Sequence, residues 1–253
     1  MSIVEVVGLT LAAFAAGAVN AVAGGGSLIS FPALVAAGYP AKTANVTNTV
    51  ALWPGYLGGS YGYRELLIPQ RRTIALLSAS SVLGALVGSA ILLSTPESAF
   101  EAIVPFLILF AALLLAVQNR VATFVAAHRR QDRPHSAAPI ELHVAVFALA
   151  VYGAYFGAGL GILTLAVLGV LVPDDLQRSN ALKGVLSLVI NAAAVVYFAA
   201  FGPVEWVPAF VMAAAALAGG YAGAHLAKRL DPRLFRAAVV IFSAAVAIVL
   251  FVR

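Results

Sequence analysis

Cysteine is absent from the 253 residues, which excludes disulfides, thiolate metal sites and thiol chemistry. Charge is scarce as well. Asp, Glu, Lys and Arg together make up 10% of the chain, where a soluble domain carries about 25%. The ten acidic residues all fall near segment ends or in connections. No carboxylate therefore stands inside an apolar stretch as a proton relay or cation ligand, and no metal or cofactor is expected. A Walker loop, a dinucleotide fingerprint and a nucleophile motif are lacking. Gly24-Gly25-Gly26 follows an apolar helical run rather than a strand, so it does not make a phosphate-binding turn of the soluble kind. Basic clusters interleaved with aromatics are missing too, which argues against nucleic acid as a partner. The N-terminus has no basic leader region, and 4–22 reads as a retained membrane helix rather than a cleaved signal peptide.

What the chain has instead is apolar length. Hydrophobic residues are 62% of the sequence and the mean hydropathy is +1.01. The stretches 73–95, 99–118, 182–201, 206–227 and 234–252 each reach the length of about 20 residues that crosses a hydrocarbon core. The lipid bilayer is thus the first expected partner.

The sequence also repeats itself. At an offset of 135, residues 17–110 align with 152–245 without a gap. Gly24 and Gly26 then fall on Gly159 and Gly161, Asn45 on Asn180, Gly84 and Gly88 on Gly219 and Gly223, and Phe100 on Phe235. A duplicated apolar chain with a glycine-rich break opening each half is the pattern of a secondary transporter. Charge in the connections gives the relative orientation. Arg64, Arg71 and Arg72 lie in the first long connection of the first half, and Glu97 and Glu101 beside the next. In the second half the order reverses, with Glu205 first and Lys228, Arg229, Arg233 and Arg236 after it. By the positive-inside rule, equivalent connections lie on opposite sides of the membrane. Inverted repeats need an odd number of crossings each. The expected fold is an all-α polytopic membrane protein with two inverted repeats, each a glycine-broken helical hairpin plus three transmembrane helices. The hairpins are 4–22 with 27–38 and 141–156 with 162–172. The first repeat is 1–118, the polar stretch 119–140 is a cytoplasmic linker, and the second repeat is 141–253.

Bare backbone groups inside a bilayer cost several kcal/mol each unless they are buried in protein or line a wet cavity. Two breaks, at Gly24, Gly25 and Gly26 and at Gly157, Gly159 and Gly161, therefore point to a cavity between the halves. Helix starts present N–H groups that favour anions. Ser27 follows the first break and Thr164 lies beyond the second. Polar clusters come next: Asn45, Thr47 and Asn48 in one half, Asn180 and Lys183 in the other. The repeat sets Lys183 opposite Asn48. Ser187 and Asn191 continue the face of Lys183 at i+4 and i+8. An intramembrane lysine fits an anionic partner; the alternative is that it snorkels to the interface. Trp53 and Tyr56 are candidates for the opposite wall. The pairs Gly84/Gly88 and Gly219/Gly223 read as helix-packing surfaces. His225 is expected to reach the headgroups.

Asn20-Ala-Val-Ala-Gly-Gly-Gly-Ser-Leu-Ile-Ser-Phe-Pro32, then Gly38-Tyr-Pro and Ala44-Asn45-Val46-Thr47-Asn48, resembles the TauE/SafE family of membrane permeases. Gly157-Ala-Gly-Leu-Gly161 with Asn180-Ala-Leu-Lys183 strengthens the resemblance, which covers essentially the whole chain. It implies export or import of sulfite, sulfoacetate or other small sulfur-containing anions across the bacterial cytoplasmic membrane. It also adds Asn20 to the substrate-binding candidates. Family members commonly carry a Thr-Ser pair where this chain has Thr47-Asn48. The missing cysteines argue against the mechanism of cysteine-dependent thiosulfate importers. The expected partners are a small anionic substrate and a coupling ion, with no nucleic acid; the oligomeric state is left open. The competing readings are a carrier of a cation or another small solute, and a membrane scaffold that transports nothing.

Overall fold

A computed structural model describes residues 1–22, 24–62, 64–127, 140–172, 176–226 and 232–252. Every regular element among them is helical: α1 (Ile3–Val22), α2 (Ser27–Ala36), α3 (Ala41–Gly62), the short α4 (Arg64–Leu67), α5 (Arg71–Ser94), α6 (Glu97–Ala127), α7 (Ile140–Tyr155), α8 (Leu160–Leu171), α9 (Leu176–Phe201), α10 (Trp206–Leu226) and α11 (Pro232–Val252). A 3₁₀ turn at Ile68–Gln70 leads into α5. Among the described residues, five helical stretches are long and apolar enough to cross a membrane: Ile3–Asn20, Glu65–Ser94, Glu97–Val121, Gln177–Phe201 and Trp206–Gly223. Large apolar side chains face outward on several of them, with Leu11, Phe106, Val196 and Phe210 all more than half exposed. In water such a surface would be an aggregation liability; against lipid it is the solvated face.

The helix α6 runs nine residues beyond the expected end of the first repeat, to Ala127. Residues 119–127 contain no glycine or proline to stop it. At about 1.5 Å per residue it is about 46 Å long, more than the hydrocarbon core requires. The rest of the expected linker, 128–139, lies outside the described residues, as do the side chains of His225, Lys228 and Arg229.

The two glycine breaks turn the chain back on itself. Gly26 lies directly against the backbone of Ala16 and the side chain of Asn20, so α2 returns along α1. Gly24, Gly157 and Gly159 have φ of 69°, 77° and 78°, a left-handed conformation that glycine adopts without a Cβ penalty. α2 ends two residues earlier than expected, in a Schellman turn: Gly38 takes φ 92° and Tyr39 N–H bonds back to Leu34 C=O at 3.2 Å.

Packing follows the repeat. α1 lies on α10 as α7 lies on α5, α3 meets α10 as α9 meets α5, and α2 meets α11 as α8 meets α6. α3 packs on α9, where Trp53 Nε1–H donates to the carbonyl of Leu188, its own repeat counterpart, at 3.4 Å.

The contacts also correct the register. Gly84 and Gly88 press on the backbones of Phe147 and Val151, while Gly219 and Gly223 press on Phe14 and Ala18. The α5 and α10 positions keep the offset of 135, but their partners differ by 133 (147 less 14, 151 less 18). The gap falls in the second short helix. α2 has 10 residues and α8 has 12; their starts differ by 133 and their ends by 135. Gly24 therefore corresponds to Gly157 and Gly26 to Gly159, not to Gly159 and Gly161. Hydrogen bonding agrees. Gly24 N–H reaches back five residues to Val19, as Gly157 N–H does to Tyr152. Gly26 C=O accepts from Ile29 and Ser30, as Gly159 C=O does from Ile162 and Leu163.

Candidate functional site

The two breaks meet. Gly24 and Gly161 face each other so closely that a Cβ on Gly24 would sit 3.8 Å from the Gly161 Cα. Around this contact is a cavity of about 150 Å³. It is walled by the breaks, by Gly55, Tyr56 and Ser60 near the end of α3, and by Asn180, Lys183, Gly184 and Ser187 near the start of α9. At about 30 Å³ per water it holds a solute of a few heavy atoms, well below the roughly 300–1,000 Å³ of a drug-sized pocket. A larger opening of about 460 Å³ lies beyond the end of α2, against Phe31, Tyr39, Val104, Glu101 and Leu250. It contains no residue of either break, and its one charged liner, Glu101, would repel an anion. The smaller, polar cavity is the candidate site.

Ten of the sequence-derived candidates line it: Asn20, Gly24, Gly25, Ser27, Gly157, Gly159, Gly161, Asn180, Lys183 and Ser187. The Lys183 ammonium stays beside the cavity and donates to Asn180 Oδ1 at 3.2 Å. Ser187 is 3% exposed. Its hydroxyl, like those of Ser27 and Tyr56, has no hydrogen-bond partner among the described residues, and Ser60 Oγ is buried without one. Tyr56 lines the wall for which it was a candidate, whereas Trp53 does not; Ser60, Gly55 and Gly184 were absent from the candidate set. Ser60 carries no sequence signal beyond its place one turn after Tyr56 on α3.

The remaining six candidates face elsewhere. Gly26 packs on Ala16. Asn45 donates to Tyr155 C=O at 2.8 Å, Thr47 Oγ1 accepts from Glu205 N–H at 3.0 Å, and Asn48 Oδ1 accepts from Ser30 Oγ–H at 2.5 Å. Thr164 and Asn191 bond carbonyls one turn back in their own helices. The polar cluster of the first half thus ties α3 to α7, to Glu205 just before α10, and to α2, while that of the second half faces the cavity. The reason is packing: α3's polar face is covered at its N-terminal end, where Lys42 Nζ also donates to Thr95 C=O and Lys42 N–H to Glu97.

The breaks differ in the same way. Asn20 Oδ1 accepts from both Gly25 N–H (3.1 Å) and Gly26 N–H (2.8 Å). The Gly25 and Gly26 donors of the first break are therefore taken by the protein, contrary to the expectation that they face a substrate. Asn20→Ala should orphan two buried donors, at about 1–3 kcal/mol each. A clear drop in the thermal midpoint of the detergent-solubilised protein is expected; an unchanged midpoint would contradict this role. At the second break, the N–H groups of Ala158, Gly159 and Gly161 have no protein acceptor among the described residues.

Glycine-broken helix pairs meeting at an internal polar cavity, within a bundle whose outer surface is apolar, define a multi-pass membrane transporter. The sequence comparisons agree. The family model described as sulfite exporter TauE/SafE matches residues 9–250; the chain belongs to that family and is a transporter of the bacterial inner membrane. It is 28% identical over 231 residues to a probable membrane transporter protein of Haemophilus influenzae, covering 91% of this chain and 88% of the other. It is 29% identical over 253 residues to the probable membrane transporter protein ORF9 of a Sinorhizobium species, covering 95% and 90%. The probable membrane transporter protein YfcA of Escherichia coli K12 is 25% identical over 236 residues, covering 93% and 86%.

Proposed function

We propose that the chain carries a small sulfur-containing oxyanion, of the sulfite, sulfoacetate or organosulfonate class, by alternating access between inverted repeats. The observation that carries the anion reading is the make-up of the cavity. Its polar liners include Lys183, the Asn20 and Asn180 amides, four hydroxyls and three backbone N–H groups without acceptors among the described residues, and no carboxylate is among them. A donor-rich, partly dehydrated site favours a ligand that only accepts hydrogen bonds. The family description supplies the sulfur class.

Alternating access is supported by the unequal halves. The cavity lies toward the end of α3 and the start of α9, near the side of Gln70, whose side chain bonds Arg178 C=O. The opposite half is bridged by Asn45–Tyr155, Thr47–Glu205 and Lys42–Glu97. Next to that closed half, Tyr39 titrates above the usual phenol range, through burial first and then the Glu205 and Glu5 carboxylates. With the arginine-rich connection 64–72 cytoplasmic, this is an inward-facing arrangement.

Single cysteines in this cysteine-free chain test the topology. Ser98→Cys and Glu205→Cys should react with an impermeant maleimide from the periplasmic side, and Arg71→Cys only after the cytoplasmic side is exposed. Labelling of positions 71 and 205, which lie in equivalent connections of the two halves, from the same side would sink the inverted arrangement. The substrate class is tested in proteoliposomes: sulfite flux should saturate and be competed by small organosulfonates. Flux linear in sulfite, or saturable flux of a cation with none of sulfite, would overturn it.

A further inference from the structure

We propose that the second break alone seats the charged head of the anion, and that Asn20 closes the first break to it. The inference rests on the oxyanion reading above and goes beyond it by assigning the substrate to one half of a repeated cavity. In the corrected register, Gly25 and Gly26 correspond to Ala158 and Gly159, and Asn20 corresponds to Gly153. Where the first half has an amide oxygen that accepts from two backbone donors, the second half has a hydrogen atom. The Ala158 and Gly159 N–H groups are left without the internal acceptor their counterparts have, and Gly161 N–H adds a third.

Helix start and ligand-directed side chains coincide here. α8 has 12 residues, so its first turn carries a developed positive end. Ser187, 97% buried by the exposure given above, lines the same cavity with its hydroxyl unpartnered. Lys183 reaches it from α9; a Cβ on Gly161 would lie 3.8 Å from the Lys183 Cδ. Residues carrying three N–H groups, an ammonium and a hydroxyl thus line one small cavity, and an acceptor-only head with several oxygens suits them together. Asn20, with Oδ1 engaged by Gly25 and Gly26, turns only its amide donors toward the same space. It is a positioning residue that fixes the facing wall.

Two matched pairs of variants test this in the purified full-length protein, with sodium sulfite as probe against sodium chloride at equal ionic strength. Gly161→Pro deletes one N–H in the first helical turn, where proline is tolerated. Gly161→Ala adds the same Cβ, at ordinary van der Waals distance from Lys183 Cδ and Gly24 Cα, and keeps the donor. Gly153→Asn restores the capping side chain, and Gly153→Ala controls for its Cβ, which must displace the Leu160 methyl ends. Sulfite should bind about tenfold or more weakly to Gly161→Pro than to Gly161→Ala, the scale of one charged hydrogen bond. Gly153→Asn should be weaker than Gly153→Ala by at least as much. If Gly161→Pro does not purify as a monodisperse species, the Gly153 pair decides. Equal affinity within the pairs, with the parent binding sulfite, overturns the seat and leaves the oxyanion reading standing. A parent that binds no sulfite overturns that reading, and the seat with it.

Discussion

Replacing Lys183 with glutamine is expected to weaken sulfite binding about ten- to hundredfold, corresponding to about 1.5–3 kcal/mol for a lost charge-assisted hydrogen bond. Lys183 is the cation on the cavity wall, its neighbour there is the neutral Asn180, and no described carboxylate lines the space. Its attraction for an anion is strengthened because water is largely excluded and the local dielectric is low. Lys183→Arg keeps the charge but replaces a compact ammonium with a planar fork, so it should retain only part of the affinity. Titration of purified protein with sulfite at matched salt distinguishes the cases. Glutamine and arginine variants both equal to the parent would remove Lys183 from the site. Glutamine lies within the reach of Asn180 and cannot cause a helix break, so a loss of binding without a loss of thermal stability would locate the effect in the ligand contact.

The largest effect on the fold itself is expected at Gly219. Here α10 crosses α1 so closely that an added Cβ would overlap the Phe14 carbonyl, which is backbone and cannot rotate away. Overpacking a fitted interface usually costs about 1–3 kcal/mol. A backbone collision at the most extensive helix contact in the bundle should reach the upper end of that range or exceed it. Gly219→Val should therefore lose most of its monodisperse protein, and Gly84→Val should do the same at the equivalent crossing of α5 over α7. Gly8→Ala and Gly184→Ala are the controls. The first meets nothing within 4 Å, and the second only the Ser60 hydroxyl at 3.9 Å. Size-exclusion profiles and melting curves of the four variants make the comparison. Normal assembly of Gly219→Val would mean that α1 and α10 do not pack as described.

These glycines also show how much was legible in the sequence. Gly84-x3-Gly88 and Gly219-x3-Gly223 read as packing surfaces because small residues four apart share a helix face, and the contacts bear that out. The breaks were legible because glycine clusters interrupt apolar runs, and three of the glycines there adopt positive φ. The pairing of the breaks was not. A gap of two residues inside a short apolar helix leaves no mark when Leu, Ile, Val and Ala occupy both versions. The contacts of Gly84 and Gly219 reveal it because a backbone touching a backbone admits no slippage.

By itself the sequence determined the solvent, the helical class and the places where the helices break, since each depends on local composition and on the hydrogen bonds a bilayer cannot supply. It also brought Asn20, Lys183 and Ser187 into the candidate site. Only the tertiary structure decided which polar residues face the cavity. Asn45 and Asn48 hold the repeat positions of Asn180 and Lys183, three residues apart in each helix, and with Thr47 are as polar. They are spent on Tyr155, Glu205 and Ser30 because α7, α10 and α2 close over that end of α3. A side chain's partners are set by what packs against it, and residues more than a hundred positions away in the chain supply two of those three.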